Sequence, residues 1–269
     1  MSPFPAVVRT SLLQFARTTK DLIFPPVCPL CREDTTSPDT LCPECWRDMA
    51  FLDGAGCRYC GYPIDTGMFG ADDLVCDDCT RRPKHWQRGS AVFRYEGSGR
   101  RLILGLKHGD RLDRVPMLAD WAVRAAGPIA SEPGVLIPIP LHWKRRLKRR
   151  ANQVAELSRA IARRCPDLAH APLGLRRVRF TGSQDGKDQE TRVRNVSDAF
   201  VPSRDSRKFL GRRVVLLDDV LTTGATLNEA ARVCLDAGAT SVDVLVLALV
   251  VRDQNPYIGA AEEDGYETS

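Results

Sequence analysis

Apolar positions along the chain change their spacing from segment to segment, and each spacing predicts a different kind of structure. Residues 7–24 carry Val8, Leu12, Leu13, Phe15, Ala16, Leu22 and Ile23 with Arg9, Arg17 and Lys20 between them, the pattern of an amphipathic helix. Pro25-Pro26 stops it. From residue 27 to 85 periodicity disappears into polar, Pro- and Gly-containing sequence. Beyond residue 90 it returns as alternating strands and helices. Strands are predicted at residues 91–95, 135–140, 214–217 and 244–251, and helices at 100–107, 115–126 and 151–164. A last helix follows residue 226, with Leu227, Ala230, Ala231, Val233, Cys234 and Leu235 at helical spacing. The apolar run at 214–217 suits a strand covered on both faces, so an α/β fold with a mostly parallel central sheet flanked by helices is expected.

The pattern divides the chain into a helix at 1–26, a small module at 27–85, an α/β domain at 90–255 and a polar tail at 256–269. Of the 269 residues 43% are hydrophobic, enough for a proper core. The longest apolar run, 244–251, falls far short of the roughly 20 residues a spanning helix needs. Residues 7–24 lack a continuous apolar core and a small-residue cleavage site, which argues against a secretory signal. The net charge is only +5, but basic residues gather at 144–150, 176–179 and 204–213. Such clusters favour a polyanion, and charge alone does not choose between phosphates and nucleic acid.

Eight of the ten cysteines make Cys-x-x-Cys pairs before residue 80: Cys28 with Cys31, Cys42 with Cys45, Cys57 with Cys60, and Cys76 with Cys79. Each pair brings two thiolates within reach of one tetrahedral ion, and two pairs complete a four-sulfur zinc site. Two structural zinc ions are therefore expected. The gaps fit two tandem ribbons, with an interleaved pairing of the first and third knuckles as the alternative. This usage is typical of metal binding in a reducing cytosol, so a cytoplasmic protein is expected. Cys165 and Cys234 fall on predicted helices among apolar residues and read as small core side chains.

Chemistry concentrates in residues 213–237, RVVLLDDVLTTGATLNEAARVCLDA. The strand at 214–217 ends on Asp218 and Asp219, and two adjacent carboxylates at a buried strand end call for a ligand or cation. Thr222, Thr223, Gly224, Ala225 and Thr226 then lead into a helix, whose first-turn N–H groups and dipole favour a phosphate. A phosphate cradle beside two carboxylates able to accept from a vicinal diol describes a ribose 5-phosphate site. Neither a P-loop nor a dinucleotide fingerprint is present. The bland alternative is a βα turn with an acidic helix cap. Two further loops can face the same crevice, the run holding Lys144 and Arg149 and the Gly- and Asp-containing segment between Leu175 and Phe200, with Arg176, Arg177, Thr181, Gln184, Arg192, Arg194 and Asn195, which has the character of a lid.

The run VVLLDDVLTTGAT resembles the phosphoribosyl pyrophosphate (PRPP) motif of type I phosphoribosyltransferases. Over nearly its whole length the chain is similar to the ComF family, a double zinc ribbon joined to a type I phosphoribosyltransferase domain and named for competence in DNA uptake. The four knuckles carry the likeness, with Leu106-Lys107-His108-Gly109-Asp110, Ile137-Pro138-Ile139-Pro140-Leu141-His142, Arg149 with Asn152-Gln153, Arg179 with Thr181 and Gln184, and Arg194-Asn195-Val196. The resemblance implies that Asp218 and Asp219 hold the ribose hydroxyls and that residues 222–226 hold the 5-phosphate. With Mg²⁺, Lys107, Lys144, Arg149, Arg179 and Arg194 would serve the pyrophosphate. It implies transfer of a phosphoribosyl group to a nitrogen acceptor. The alternative is a non-catalytic PRPP- or nucleotide-sensing adaptor that contacts single-stranded DNA or the competence machinery.

Overall fold

The computed structural model describes residues 25–53, 56–64, 74–108, 111–140, 153–179 and 198–251. The expected helix at 7–24, the basic run with Lys144 and Arg149, the lid residues Thr181, Gln184 and Arg194, and the tail after 256 lie outside the described residues.

Strands β1 (Arg88–Arg94), β2 (Gly134–Pro138), β3 (Leu168–His170), β6 (Arg213–Leu221) and β7 (Ser241–Leu249) make a parallel sheet in the order β1-β7-β6-β2-β3. Strands β4 (Leu175–Arg177) and β5 (Phe200–Pro202) form a separate antiparallel pair. The helices are α1 (Pro43–Arg47), α2 (Asp77–Arg81), α3 (Gly97–His108), α4 (Val115–Ala126), α5 (Pro128–Ser131), α6 (Gln153–Ala162) and α7 (Ala225–Asp236). Successive strand residues leave on opposite faces. Val215, Leu217, Leu245 and Leu247 pack with Leu102, Leu118 and Leu157 of α3, α4 and α6. Val214, Leu216, Val244 and Val246 pack with Leu227, Ala231 and Cys234 of α7. The apolar run needed no alternation because both faces are covered.

The two cysteine modules straddle the edge strand β1. Cys28, Cys42, Cys45 and Met49 join the core on the α3–α4 face, whereas Cys57, Cys60 and Cys79 join the core on the α7 face. The link between them closes the edge: Phe51 bridges Phe93 antiparallel, Leu52 N donates to Val92 O at 3.0 Å, and Arg94 N donates to Ala50 O at 2.8 Å. Lower on β1, Gly89 N donates to Arg58 O at 2.7 Å. A Cβ on Gly89 would stand 2.0 Å from Tyr59 O, so this approach requires glycine. An open strand edge is thereby paired rather than exposed.

Several boundaries differ from the pattern-based expectation. β1 starts at Arg88 rather than at residue 91 because Arg88, Gly89 and Ser90 pair with β7 despite their polarity. β6 does not end on the acidic pair. It runs on to Leu221, because β7 supplies partners as far as Leu249. Cys165 lies beyond the end of α6, buried all the same, while Cys234 sits in α7 as expected. The 204–213 basic cluster serves the fold in part: Arg213 Nη1 donates to the buried Asp243 at 2.7 Å, and Arg212 Nη2 to Gly134 O at 3.2 Å.

Candidate functional site

Sulfur geometry decides the pairing of the knuckles. Cys28, Cys31, Cys42 and Cys45 form one group and Cys57, Cys60, Cys76 and Cys79 another, with the Sγ atoms of each group within 4.8 Å of one another. The ribbons are tandem, not interleaved. Cys31 and Cys42 stand 3.5 Å apart and Cys60 and Cys76 3.7 Å. A tetrahedral zinc ion with bonds near 2.3 Å has sulfur–sulfur edges of about 3.8 Å, so both donor sets fit the ion. The thiols cannot all ionise without it. The hydrogen bond from Cys60 holds the Cys57 thiol far down, the same bond pushes Cys60 up, and burial raises Cys45 to about 12.

The second centre forms where β6 turns into α7. Gly224 takes a left-handed conformation, φ 77°, at the N-cap of α7, and Thr223 Oγ1 accepts from Ala225 N at 3.4 Å. A small cavity of about 40 Å³ opens there, lined by Asp218, Val220, Leu221, Thr222, Thr223, Gly224, Ala225, Thr226 and Leu227. The predicted phosphate-turn residues and Asp218 thus surround one space. Asp219 points to the other face, where its carboxylate meets Lys107 Nζ of α3 at 3.2 Å. Asp218 Oδ1 accepts from Asp219 N at 2.9 Å. Desolvation, reinforced by the Asp219 charge, raises Asp218 to about 7, against the pull of Lys107 and Arg177. Arg179 is exposed beyond β4 and lines neither cavity of this region.

Sequence reasoning missed Trp86. It is 2% exposed, its Nε1 donates to Tyr59 O at 2.6 Å, and a Cβ on Gly224 would lie 3.0 Å from its ring. Gly224 is therefore demanded by φ and by Trp86, not only by an approaching phosphate. A lone tryptophan between a knuckle and a strand carries no periodicity that could have flagged it. Arg177, whose charge reaches Asp218, falls in the segment whose sequence has the character of a cationic lid, but it sits in strand β4. Next to the turn lies a much larger cavity, about 610 Å³, between the second ribbon and the ends of β6 and β7.

Comparison with known proteins matches both parts of the chain. Residues 19–80 match the family described as Double zinc ribbon domain, and residues 155–263 match Phosphoribosyl transferase domain. "DNA utilization protein YhgH" of Shigella flexneri is 30% identical over 82% of this chain and 89% of its own length. "Competence protein F" of Haemophilus influenzae is 29% identical over 77% of this chain and 90% of its own. "Competence protein ComFC" of Bacillus subtilis is 27% identical over 78% of this chain and 84% of its own. Among the described residues no helix is long and apolar enough to cross a membrane. With its tandem four-cysteine ribbons and its phosphoribosyltransferase domain, the chain belongs to the ComF family.

Proposed function

We propose that the chain is a phosphoribosyltransferase that binds PRPP on the β6–α7 turn and passes the phosphoribosyl group to a nitrogen acceptor, releasing pyrophosphate. The carrying observation is the small cavity that Asp218 shares with Thr222, Thr223, Gly224, Ala225 and Thr226 at the start of α7. Its free N–H groups and hydroxyls suit the 5-phosphate, which needs no cation there. Asp218, and Asp219 with its Lys107 partner at 3.2 Å, would hold the ribose hydroxyls and fix the ring. The acceptor nitrogen attacks ribose C1 while the C1–O bond to pyrophosphate breaks and its electron pair leaves with the oxygen. The acceptor's proton passes to solvent or to the departing pyrophosphate. Mg²⁺, arriving with PRPP, would supply positive charge to that leaving group. Lys107, Arg179, and from outside the described residues Lys144, Arg149 and Arg194, are the cations we assign to the pyrophosphate side. Positioning and electrostatics carry the rate, since the protein need form no covalent bond.

The relatives' names, competence and DNA utilization, support DNA uptake or use as the process served, and the four-cysteine metal sites support a reducing, cytoplasmic setting. The test is calorimetry with PRPP and Mg²⁺, followed by pyrophosphate release with a panel of bases. Asp219→Asn should weaken PRPP about tenfold or more, since each charge-assisted hydrogen bond contributes roughly 1.5–3 kcal/mol. PRPP binding without pyrophosphate release, together with salt-sensitive binding of single-stranded DNA, would favour the adaptor reading. Absence of PRPP binding would sink the transferase reading and leave the adaptor only as a nucleotide sensor.

A further inference from the structure

The larger cavity has walls of a different chemistry from the phosphate turn. One side is the end of the sheet, with Leu221, Thr222, Thr223 and Leu249; the other is the second ribbon, with Tyr62, Ile64 and Val75. Trp86 closes the back, and its indole is fixed by the bond to Tyr59 O. Polar groups gather around α2 and after it. Asp77 leans on Arg81 at 3.7 Å, Asp78 on Arg82 at 3.1 Å, and Lys84 lies over the Trp86 ring at 5.6 Å. A polyanion would meet two carboxylates and a single cation, Lys84, among the described lining residues. Pyrophosphate therefore does not belong here, nor does a nucleic-acid backbone. A mostly apolar, aromatic-walled space of about 610 Å³ with a few polar groups is the ordinary form of a small-molecule site.

Its position completes the argument. Thr222, Thr223 and Gly224 line both this cavity and the small one on the α7 side of the turn. A ring in the larger cavity thus lies next to a sugar phosphate seated on the turn. We propose that this cavity is the acceptor subsite, that it takes a planar nitrogen heteroaromatic of nucleobase type, and that the second zinc ribbon is its roof. The substrate class rests on the transferase reading above, but the pocket and its occupant can be tested without turnover. The metal enters the proposal through the fold: Cys60, Cys76 and Cys79 stand in the cavity wall, so the ion those residues hold would fix the roof's shape.

The experiment is ligand-observed NMR with adenine, guanine, hypoxanthine and uracil, each added to zinc-loaded full-length protein with and without ribose 5-phosphate. Binding of ribose 5-phosphate is measured in parallel by calorimetry. At least one base should bind. Ile64→Trp and, separately, Val75→Trp fill the cavity from the ribbon side, so each should weaken that base at least tenfold. Ribose 5-phosphate affinity should stay within twofold. Two equivalents of zinc in each variant establish that the ribbons remain folded, and two fillers guard against the failure of one. Ribose 5-phosphate binding with no base bound would overturn the subsite and leave the PRPP reading intact. Base binding that neither filler weakens would also overturn it. Base binding lost in both fillers, with ribose 5-phosphate never bound, would sustain the pocket and remove the transferase reading.

Discussion

Asp218→Asn should stabilise the ligand-free protein, and by more at pH 8 than at pH 5. Desolvation and then the Asp219 charge lift the native carboxyl from 3.8 to about 7. The sign follows from which state holds the proton more tightly. As pH rises the unfolded chain releases it first, so folding loses stability from about pH 4 to about pH 7 and nothing further above that. At 1.36 kcal/mol per pKa unit, the gap between 3.8 and about 7 amounts to about 4 kcal/mol at pH 8 and about 2 kcal/mol at pH 5. These are upper bounds, because Asp218 is only partly buried over its whole side chain and water screens it. Asparagine keeps a carbonyl oxygen to accept from Asp219 N, 2.9 Å away, so the swap removes the ionisation and little else. Urea unfolding of zinc-loaded wild type and variant at the two pH values measures the difference. An equal effect at both, or a variant less stable at pH 8, would refute the argument. The same carboxyl has a functional counterpart. A diol held by an ionised Asp218 predicts that wild-type PRPP affinity rises between pH 6 and pH 8, while the variant's affinity stays weak and flat.

Other tests bear on different parts of the molecule. Metal analysis should find two zinc ions per chain, and a strong chelator should unfold the ribbons, release the cover from β1 and promote aggregation through that edge; less than two equivalents would count against the donor sets. Asp243→Ala should cost about 3 kcal/mol, because it removes the carboxylate, 1% exposed, that Arg88 and Arg213 share at 2.7 Å and leaves Glu132 as their remaining acidic partner. Its PRPP affinity should be unchanged, since the site lies at the far end of the strands. Gly224→Ala should lose roughly 1–2 kcal/mol in unfolding experiments from a non-glycine residue at φ 77° alone, with the contact to Trp86 adding to it.

The sequence revealed the α/β fold because its strands are buried on both faces and its helices keep their spacing. Val115–Ala126 was legible to the residue for that reason. It revealed the metal centres because Cys-x-x-Cys is a local geometry, and the phosphate turn because strand, turn and helix are continuous there. What it hid was long-range. Nothing local says that Ala50, Phe51 and Leu52 would pair with β1, or that the two ribbons would settle on opposite faces of the sheet. The acidic pair looked like a strand terminus because charge usually ends a buried strand. In the structure β7 carries the pairing two residues further, and the Lys107 partner on α3 offsets the cost of burying Asp219.

Residue type alone cannot separate structural charge from ligand-binding charge in this chain, and position along the strands can. At the N-terminal end of the sheet, Arg88, Arg213, Glu132 and Asp243 satisfy one another: Arg88 pairs with Glu132 at 2.6 Å and with Asp243 at 2.7 Å, and Arg213 also reaches Asp243 at 2.7 Å. Cations and carboxylates there are mutual partners, so the network stabilises the sheet and presents little to a ligand. At the C-terminal end the balance differs. Asp219 has Lys107, but Asp218 faces a cavity at a helix N-terminus and is pushed to about 7, the condition of a group whose surroundings are not yet complete. A protein that needed only a stable sheet would gain by an apolar residue at 218. Retaining a carboxylate where it weakens the ligand-free fold is consistent with a cost offset on binding, when ribose hydroxyls donate to it.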